Sequence, residues 1–237
     1  MKLVVLLLSV LLANGSDKQT YKKTYTSEAK NLENNKVIYK EYHEEKFSSG
    51  NIDVSITKYK DLNNNIISKR VMNFGEDLIK PNFVLEDFTS GYIEGAEVID
   101  ENKVKVFTRK NSQSILEEEV LTVEEPYVID GGLTYYFIKH WDALMKGETK
   151  EFNFITPSKL DYFRFRVYKD SITAIGDRKG LQLKLEPSSF ILRAFVDPII
   201  IVYALDNKDI LYYKGISNVN DDNGKSYSVE INYTENY

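Results

Sequence analysis

Hydrophobic and polar residues alternate along most of the chain, in short runs separated by Asn, Asp and Gly. A period of two places alternate side chains on opposite faces of an extended strand, and is typical of half-buried β-strands. The connections are short and rich in turn-forming residues, which predicts antiparallel pairing of neighbouring strands. The predicted strands are residues 37–47, 52–59, 66–74, 91–99, 103–109, 114–123, 149–155, 162–169, 171–175, 181–186, 199–204, 210–213 and 227–233.

Residues 131–146 do not follow the two-residue alternation. Their apolar residues recur every three to four positions, which predicts an amphipathic helix. Asp130 is placed to cap its start and Gly147 to end it. Its apolar face, which includes the only tryptophan, is expected to pack against the concave side of a curved sheet. A second, shorter helix is predicted over residues 190–196, after Pro187.

These elements predict a mainly β fold with a minor helical part. A strongly curved antiparallel sheet, or half-barrel, is expected to wrap one main helix and a short second helix. No linker rich in Pro, Gly or Ser divides the chain, so we expect a single β-rich domain over residues 16–237.

The N-terminus predicts export. Lys2 precedes an apolar run over residues 3–12, and small residues follow at Ala13 and Gly15, which is the pattern of a cleavable signal peptide over residues 1–15. The apolar run is too short for a permanent helical span, which needs about 20 residues. No integral membrane span is therefore expected after processing. The chain has no cysteine, which favours a bacterial periplasm over a eukaryotic secretory route.

The amino-acid composition excludes a disordered chain and disfavours some classes of partner. With 42% hydrophobic and 28% charged residues, the chain can form a sizeable core and is not of the disordered class. A net charge of −5 without a dominant basic cluster argues against nucleic acid as a partner, and disfavours a wholly anionic membrane surface. The triplet that starts at Asn232 is a glycosylation acceptor, which matters only in a host that glycosylates it.

Complete catalytic and metal motifs are absent from the sequence. There is no Gly-x-Ser-x-Gly elbow and no cysteine nucleophile, and the only histidines are His43 and His140. Alternation sends His43 and Glu44 to opposite faces, and no second histidine stands at ligand spacing, so we expect a solvated strand face rather than a metal site. His140 is expected on a helix face, poorly placed to pair with Asp142. We predict no catalytic residues, no metal and no cofactor.

The strand at residues 162–168 has the most distinctive faces. One face carries Tyr162, Arg164, Arg166 and Tyr168, and the other carries Phe163, Phe165 and Val167. The polar face predicts either a cradle for an anion or headgroup, or ordinary cross-strand pairing of its arginines with Glu151 and Glu186. The aromatic face, together with Phe137, Trp141 and Leu144 of the helix, predicts either a packed core or an internal pocket. The candidate ligand-binding residues are therefore Phe137, Trp141, Leu144, Tyr162, Phe163, Arg164, Phe165, Arg166 and Tyr168.

Several sequence words in the second half carry a family resemblance. They are FIKHWDALMKGE at residues 137–148, TPSKLDYFRFR at 156–166, PSSFILR at 187–193 and YKGISN at 213–218. In this order they resemble a family of uncharacterised bacterial exported proteins, which has no assigned activity. The layout is more distantly similar to the periplasmic lipoprotein-carrier half-barrels, in which a curved sheet shelters acyl chains. That similarity concerns the type of fold and does not settle function.

Together, these observations predict a non-catalytic envelope protein that binds or carries a lipid-like or other apolar ligand in the concavity of its sheet. One alternative is an exported hydrolase that uses carboxylates such as Glu151 or Asp161. Another is a structural protein that adds a strand to an envelope partner.

Overall fold

The structure is a computed structural model that describes residues 20–221 and 224–234. The predicted signal peptide at residues 1–15 lies outside the described residues. The strands are β1 Thr20–Asn31, β2 Val37–Ser48, β3 Asn51–Lys60, β4 Ile66–Asn73, β5 Asn82–Asp87, β6 Ile93–Asp100, β7 Lys103–Arg109, β8 Glu117–Thr122, β9 Tyr127–Val128, β10 Lys150–Thr156, β11 Asp161–Ile175, β12 Arg178–Pro187, β13 Ile199–Ala204, β14 Ile210–Asn220 and β15 Ser226–Thr234. The α-helices are α1 Gly132–Lys139, α2 Trp141–Met145 and α3 Phe190–Arg193.

All these strands form one open curved sheet, which confirms the predicted fold class. Strands β1 to β8 follow one another in order, as do β9 to β15, and β1 pairs with β15 to join the two series. Neighbours are antiparallel except for β9, which runs parallel to β10. The sheet therefore begins and ends in space at β8 and β9, while the first and last described strands lie at its middle. The exposed acidic residues of β8 occupy the edge position that their charge favours.

Three strands were missed by the sequence prediction, namely β1, β5 and the two-residue β9. The buried face of strand β1 includes the polar Ser27 as well as Ala29. Apolar and polar residues therefore do not alternate clearly along this strand, and the sequence pattern did not predict it. Strand β5 alternates in burial, but Phe83, Val84 and Leu85 read in sequence as one continuous apolar run. The strands predicted at 162–169 and 171–175 are a single strand, β11, whose pairing with β12 has an irregularity between Lys169 and Ser171.

The main helix is broken. The backbone at His140 leaves the helical conformation, with φ −102° and ψ 16°, so α1 and α2 replace the continuous helix predicted over 131–146. The predicted cap at Asp130 was wrong, because its side chain is bound to Arg70 instead. Gly147 follows α2 at φ +87°, a conformation that suits glycine, as predicted for a helix end.

Buried apolar residues form two main clusters. The first core lies mainly on strands β1 to β7, β14 and β15, with Tyr127 of β9 and Ile155 of β10, and includes Tyr39 and Val229. The second core lies between the helices α1 and α2 and strands β10 to β13. Its members are Ile79, Val128, Tyr136, Phe137, Trp141, Leu144, Phe152, Val167, Leu181, Leu183, Leu185, Ile201 and Tyr203. The helices therefore cover one half of the inner face.

The connection after β10 reaches the other half of the sheet. A 3-10 turn at Pro157–Lys159 lies against β6 and β7, and the hydroxyl of Ser158 bonds Tyr92. Within the described ranges no helix combines the length and apolar character needed to cross a membrane.

Candidate functional site

The inner face of strands β1 to β7 carries two rows of mostly polar side chains. Directly paired residues on neighbouring strands point to the same face, so the register defines each row. The first row consists of Tyr25, His43, Thr57, Arg70, Leu85, Glu94 and Thr108, on β1 to β7 in order. The second row consists of Tyr233, Ser27, Glu41, Tyr59, Ser68 and Asp87, on β15 and then β1 to β5.

The centre of these rows is a buried hydrogen-bond chain. Glu41 Oε2 accepts a bond of 2.9 Å from the Ser27 hydroxyl and lies 2.9 Å from His43 Nε2. The other ring nitrogen of His43 lies 3.2 Å from the Thr57 hydroxyl. All four side chains are buried. Burial alone would raise the pKa of Glu41, but the hydrogen bonds from His43 and Ser27 outweigh it, and the pKa lies below its usual value.

The hydrogen-bond chain ends at the ion pair between Arg70 and Asp130, which is partly exposed to solvent. Arg70 Nη1 donates to Asp130 Oδ1 at 2.8 Å, and the two side chains are 17% and 14% exposed. Arg70 Nη2 lies 3.5 Å from the Thr57 hydroxyl, which joins the pair to the buried chain. Among the described residues, Arg70 Nε is one of two buried side-chain polar atoms with no hydrogen-bond partner. An unpaired buried donor is uncommon and marks a place where an acceptor would bind.

Several tyrosines lie around the buried hydrogen-bond chain. Tyr25 stacks on His43 with ring centres 4.3 Å apart, and its hydroxyl donates to Glu45. The hydroxyl of Tyr39 bonds Ser217 at 2.7 Å. Burial, together with the nearby carboxylate of Glu41, raises the pKa of Tyr39 well above its usual value. Burial likewise raises the pKa of Tyr59 to about 12. These phenols therefore stay protonated at neutral pH and act as hydrogen-bonding groups rather than bases.

Glu94 is the one carboxylate of the first row. Burial raises the pKa of Glu94 to about 7, although a hydrogen bond with Tyr92 opposes the shift. The negative charge of Asp130 adds to the increase. Glu94 is therefore partly protonated at neutral pH and able to donate as well as accept a hydrogen bond.

The order carboxylate, imidazole, hydroxyl at Glu41, His43 and Thr57 is that of groups used in nucleophilic catalysis. The Thr57 side chain, however, is only 1% exposed, so a substrate has no route to its hydroxyl in this conformation. The hydrogen-bond chain instead holds the polar side chains of the inner face in position. The sequence prediction that His43 lies on a solvated face was wrong. It compared His43 with Glu44, whereas Glu41, two residues away on the same face, is its actual partner.

The predicted aromatic site residues pack in the second core. Phe137 and Leu144 have no exposed surface, and Trp141 is 9% exposed. Phe165 packs against the same core, 5.9 Å from the ring of Phe154. Phe163 pairs with Phe154 across β10 and β11 and is half-buried. The structure thus brings Phe137, Trp141, Leu144 and Phe165 together where the helices pack against the sheet.

The arginines of β11 form the cross-strand pairs that the sequence analysis gave as the alternative to a cradle. Arg164 donates to Glu151 at 2.9 Å, and Arg166 donates to Glu186 through two nitrogens, at 2.9 and 2.5 Å. Tyr168 lies beside Arg166, 5.6 Å from its guanidinium carbon. Tyr162, the fourth residue predicted on this face of β11, packs against the first core instead.

A surface pocket of about 590 Å³ lies beside α1, where Lys80, Glu125, His140 and Glu151 line it. Lys80 pairs with Glu125 and with Asp77. Burial, followed by the positive charge of Lys150, lowers the pKa of His140, so its imidazole is neutral at pH 7. The charged groups here are largely paired with one another, which leaves the polar rows as the stronger candidate site.

No family model, curated protein or solved structure matches the chain. Over residues 20–221 and 224–234, no group of three or more His, Asp or Glu side chains is placed to hold a metal ion. The function is therefore argued from the geometry of the inner face.

Proposed function

We propose that the protein is a non-catalytic binding protein of the bacterial envelope that takes an amphipathic, lipid-like molecule into the hollow of its curved sheet. The proposal rests on one observation: the apolar surface of β10 to β13 that the helices cover, the apolar half, meets the two polar rows that cross the first core on β1 to β7, the polar half, at Arg70 and Asp130. An amphipathic molecule has the same division.

The apolar half supplies the surface for an acyl chain. Val167, Leu181 and Leu183 are completely buried beneath the helices α1 and α2. The helices join this surface mainly through apolar side chains, with few polar contacts such as Thr134 to Tyr203 and the Tyr136 hydroxyl to the carbonyl of Glu151. An acyl chain would replace the same kind of contact, at about 0.8 kcal/mol for each CH₂ removed from water.

The polar half supplies groups for the head of the ligand. Arg70 has an unused donor at Nε that is itself buried, so an acceptor oxygen of a headgroup that displaces Asp130 would complete its hydrogen bonds. Asp130 immediately precedes α1 and is bound to the same guanidinium. A headgroup that competes for Arg70 would therefore loosen the helix that covers the apolar half. This arrangement links binding of the head to entry of the chain.

Trp141 provides a direct test, because it is the only tryptophan and lies on α2, where its side chain packs in the second core. We expect a fatty acid brominated along its chain to quench Trp141 fluorescence in a saturable manner, since bromine quenches on contact. The same fatty acid without bromine serves as the control. An absence of saturable quenching, together with an organic extract of the purified protein that contains no lipid, would refute the proposal.

A matched pair of variants tests the headgroup site. Arg70→Lys keeps the charge that faces Asp130 but removes the Nε donor, so affinity is expected to fall roughly tenfold. Arg164→Lys changes an exposed arginine on the sheet and should leave affinity unchanged. Equal affinities for the two variants would exclude Arg70 as the headgroup contact.

A further inference from the structure

Helix α3 and the residues after it present an exposed apolar surface that the hollow of the sheet does not use. The side chains are Phe190, Ile191, Leu192 and Phe195, which are 81%, 71%, 39% and 83% exposed. We call these four residues the apolar tip. Single exposed apolar residues are common in soluble proteins, but four within six positions mark an interaction surface.

The apolar tip is held in place by its base. Ser189 caps α3 by accepting a hydrogen bond from the Leu192 amide, and Ser188 N bonds the carbonyl of Arg164 on β11. Arg193 Nη1 donates to the carbonyls of Pro187 and Ser188. The backbone is thus fixed to the end of β12 while the apolar side chains point outward. Because Phe190, Ile191 and Phe195 are each more than 70% exposed, the tip projects into solvent.

The base of the tip presents mainly positive charge. Arg166, Lys184 and Arg193 all lie within 4 Å of the single carboxylate of Glu186, which is only 9% exposed beneath them. Arg164, whose carbonyl anchors the turn, is 67% exposed. Glu151 and Asp197 are the acidic residues that face solvent in this region. The four basic side chains named here outnumber the three acidic ones, so the local surface carries a net charge of about +1 although the whole chain carries −5.

We propose that the apolar tip inserts into the surface of a lipid bilayer. A projecting group of phenylalanine and aliphatic side chains fits the acyl boundary of a bilayer, which accommodates any projecting shape, whereas a protein partner would need a matching pocket. The cationic base would then lie at the level of the headgroups, where arginine and lysine favour anionic lipids. The inference does not depend on the ligand proposed for the hollow.

Vesicle flotation tests this inference with the full chain. We expect the wild-type protein to float with vesicles of phosphatidylcholine mixed with phosphatidylglycerol, and more weakly with phosphatidylcholine alone. Each of Phe190→Ser and Phe195→Ser should lower the partition coefficient about tenfold, and the double variant should abolish flotation. Because both side chains are exposed, thermal unfolding of the variants should match that of the wild type.

Ile115→Ser is the matched control, since Ile115 is 79% exposed on the segment before β8, away from the tip. This variant should float like the wild type. The proposal is overturned if the wild-type protein does not float with either vesicle, which would leave the tip to a protein partner. It is also overturned if the double variant still floats, since binding would then come from charge or from another surface.

Discussion

The two halves of the inner face use opposite means to fill the interior of one sheet. On strands β10 to β13 the inward side chains are almost all apolar, and α1 and α2 cover them. On strands β1 to β7 the inward positions hold the apolar residues of the first core and, among them, two polar rows with a buried hydrogen-bond chain, which Asp130 and Ser158 approach from connecting segments. Alternation along a strand specifies only which positions point inward. The chemistry of those positions decides whether the interior is dry or hydrogen-bonded.

The two halves are expected to contribute unequally to the stability of the protein. Apolar burial contributes in proportion to the area removed from water, whereas each internal hydrogen bond replaces one made to water and contributes little net free energy. The apolar half should therefore tolerate substitution poorly. The polar half should show smaller losses that depend on pH.

The largest effect is expected in the apolar half. Phe137→Ala removes a completely buried ring from the second core and should lower the free energy of unfolding by about 3 to 5 kcal/mol. Urea unfolding followed by circular dichroism measures this value. Phe88→Ala is the control, because that ring is 54% exposed and its loss should cost little. A similar cost for both variants would mean that the second core does not dominate stability.

Glu94 should give the polar half a distinctive pH dependence. Its pKa is about 7 in the folded protein and near 4.5 when unfolded, so the folded state holds more protons between these values. Stability contributed by this group is therefore full below about pH 4.5 and falls as pH rises towards 7, by roughly 3 kcal/mol in total. Glu94→Gln should remove this slope when unfolding is compared at about pH 5 and about pH 8. Parallel slopes for the variant and the wild type would contradict the assignment.

Glu41 should respond to pH in the opposite direction. Glu41→Gln weakens the charged bonds with Ser27 and His43 and is expected to cost about 2 kcal/mol at neutral pH. Because the pKa of Glu41 is lowered in the folded protein, its contribution is present above the usual value of 4.5 and is lost as pH falls through the folded value. The gap between variant and wild type should thus close in acid. Glu28→Gln, at an exposed ion pair with Lys40, should show no such gap.

The smallest effect is expected at the outer arginines of β11. Arg164→Gln breaks a pair whose side chains are 67% and 42% exposed, and should change stability by less than about 0.5 kcal/mol. Arg166→Gln should cost more, about 1 kcal/mol, because Glu186 is only 9% exposed and would lose its bidentate partner. Thermal unfolding of the two variants provides the comparison. A larger loss at Arg164 would reverse the order that burial predicts.

Much of the fold was readable from the sequence where apolar and polar residues alternate clearly. Strands such as β7 and β12, and the apolar face of the helical segment, follow from local periodicity. Strand β1 was missed because its inner face is partly polar, and the break at His140 was missed because the apolar period continues through it. Patterns of hydrophobicity report burial, and they fail where a protein buries polar groups.

The candidate site was less predictable from the sequence than the fold, because its residues are buried polar groups. Glu41 and His43 are two residues apart on one strand, so their shared face was a signal available in the sequence. Nothing local pointed to Thr57 as the next member of the chain, or to Arg70 beside it. Their positions depend on the register of β2, β3 and β4, which is set by turns and by packing.

The sequence alone determined that the chain forms an antiparallel sheet of alternating strands with one amphipathic helical segment, because side-chain periods of two and of three to four residues are local properties. The folded structure was needed to show which half of that sheet receives the helices, and that Asp130 binds an arginine 60 residues earlier in the chain. A buried charge takes its partner from whatever the folded chain brings within bonding distance, and sequence spacing does not record that distance.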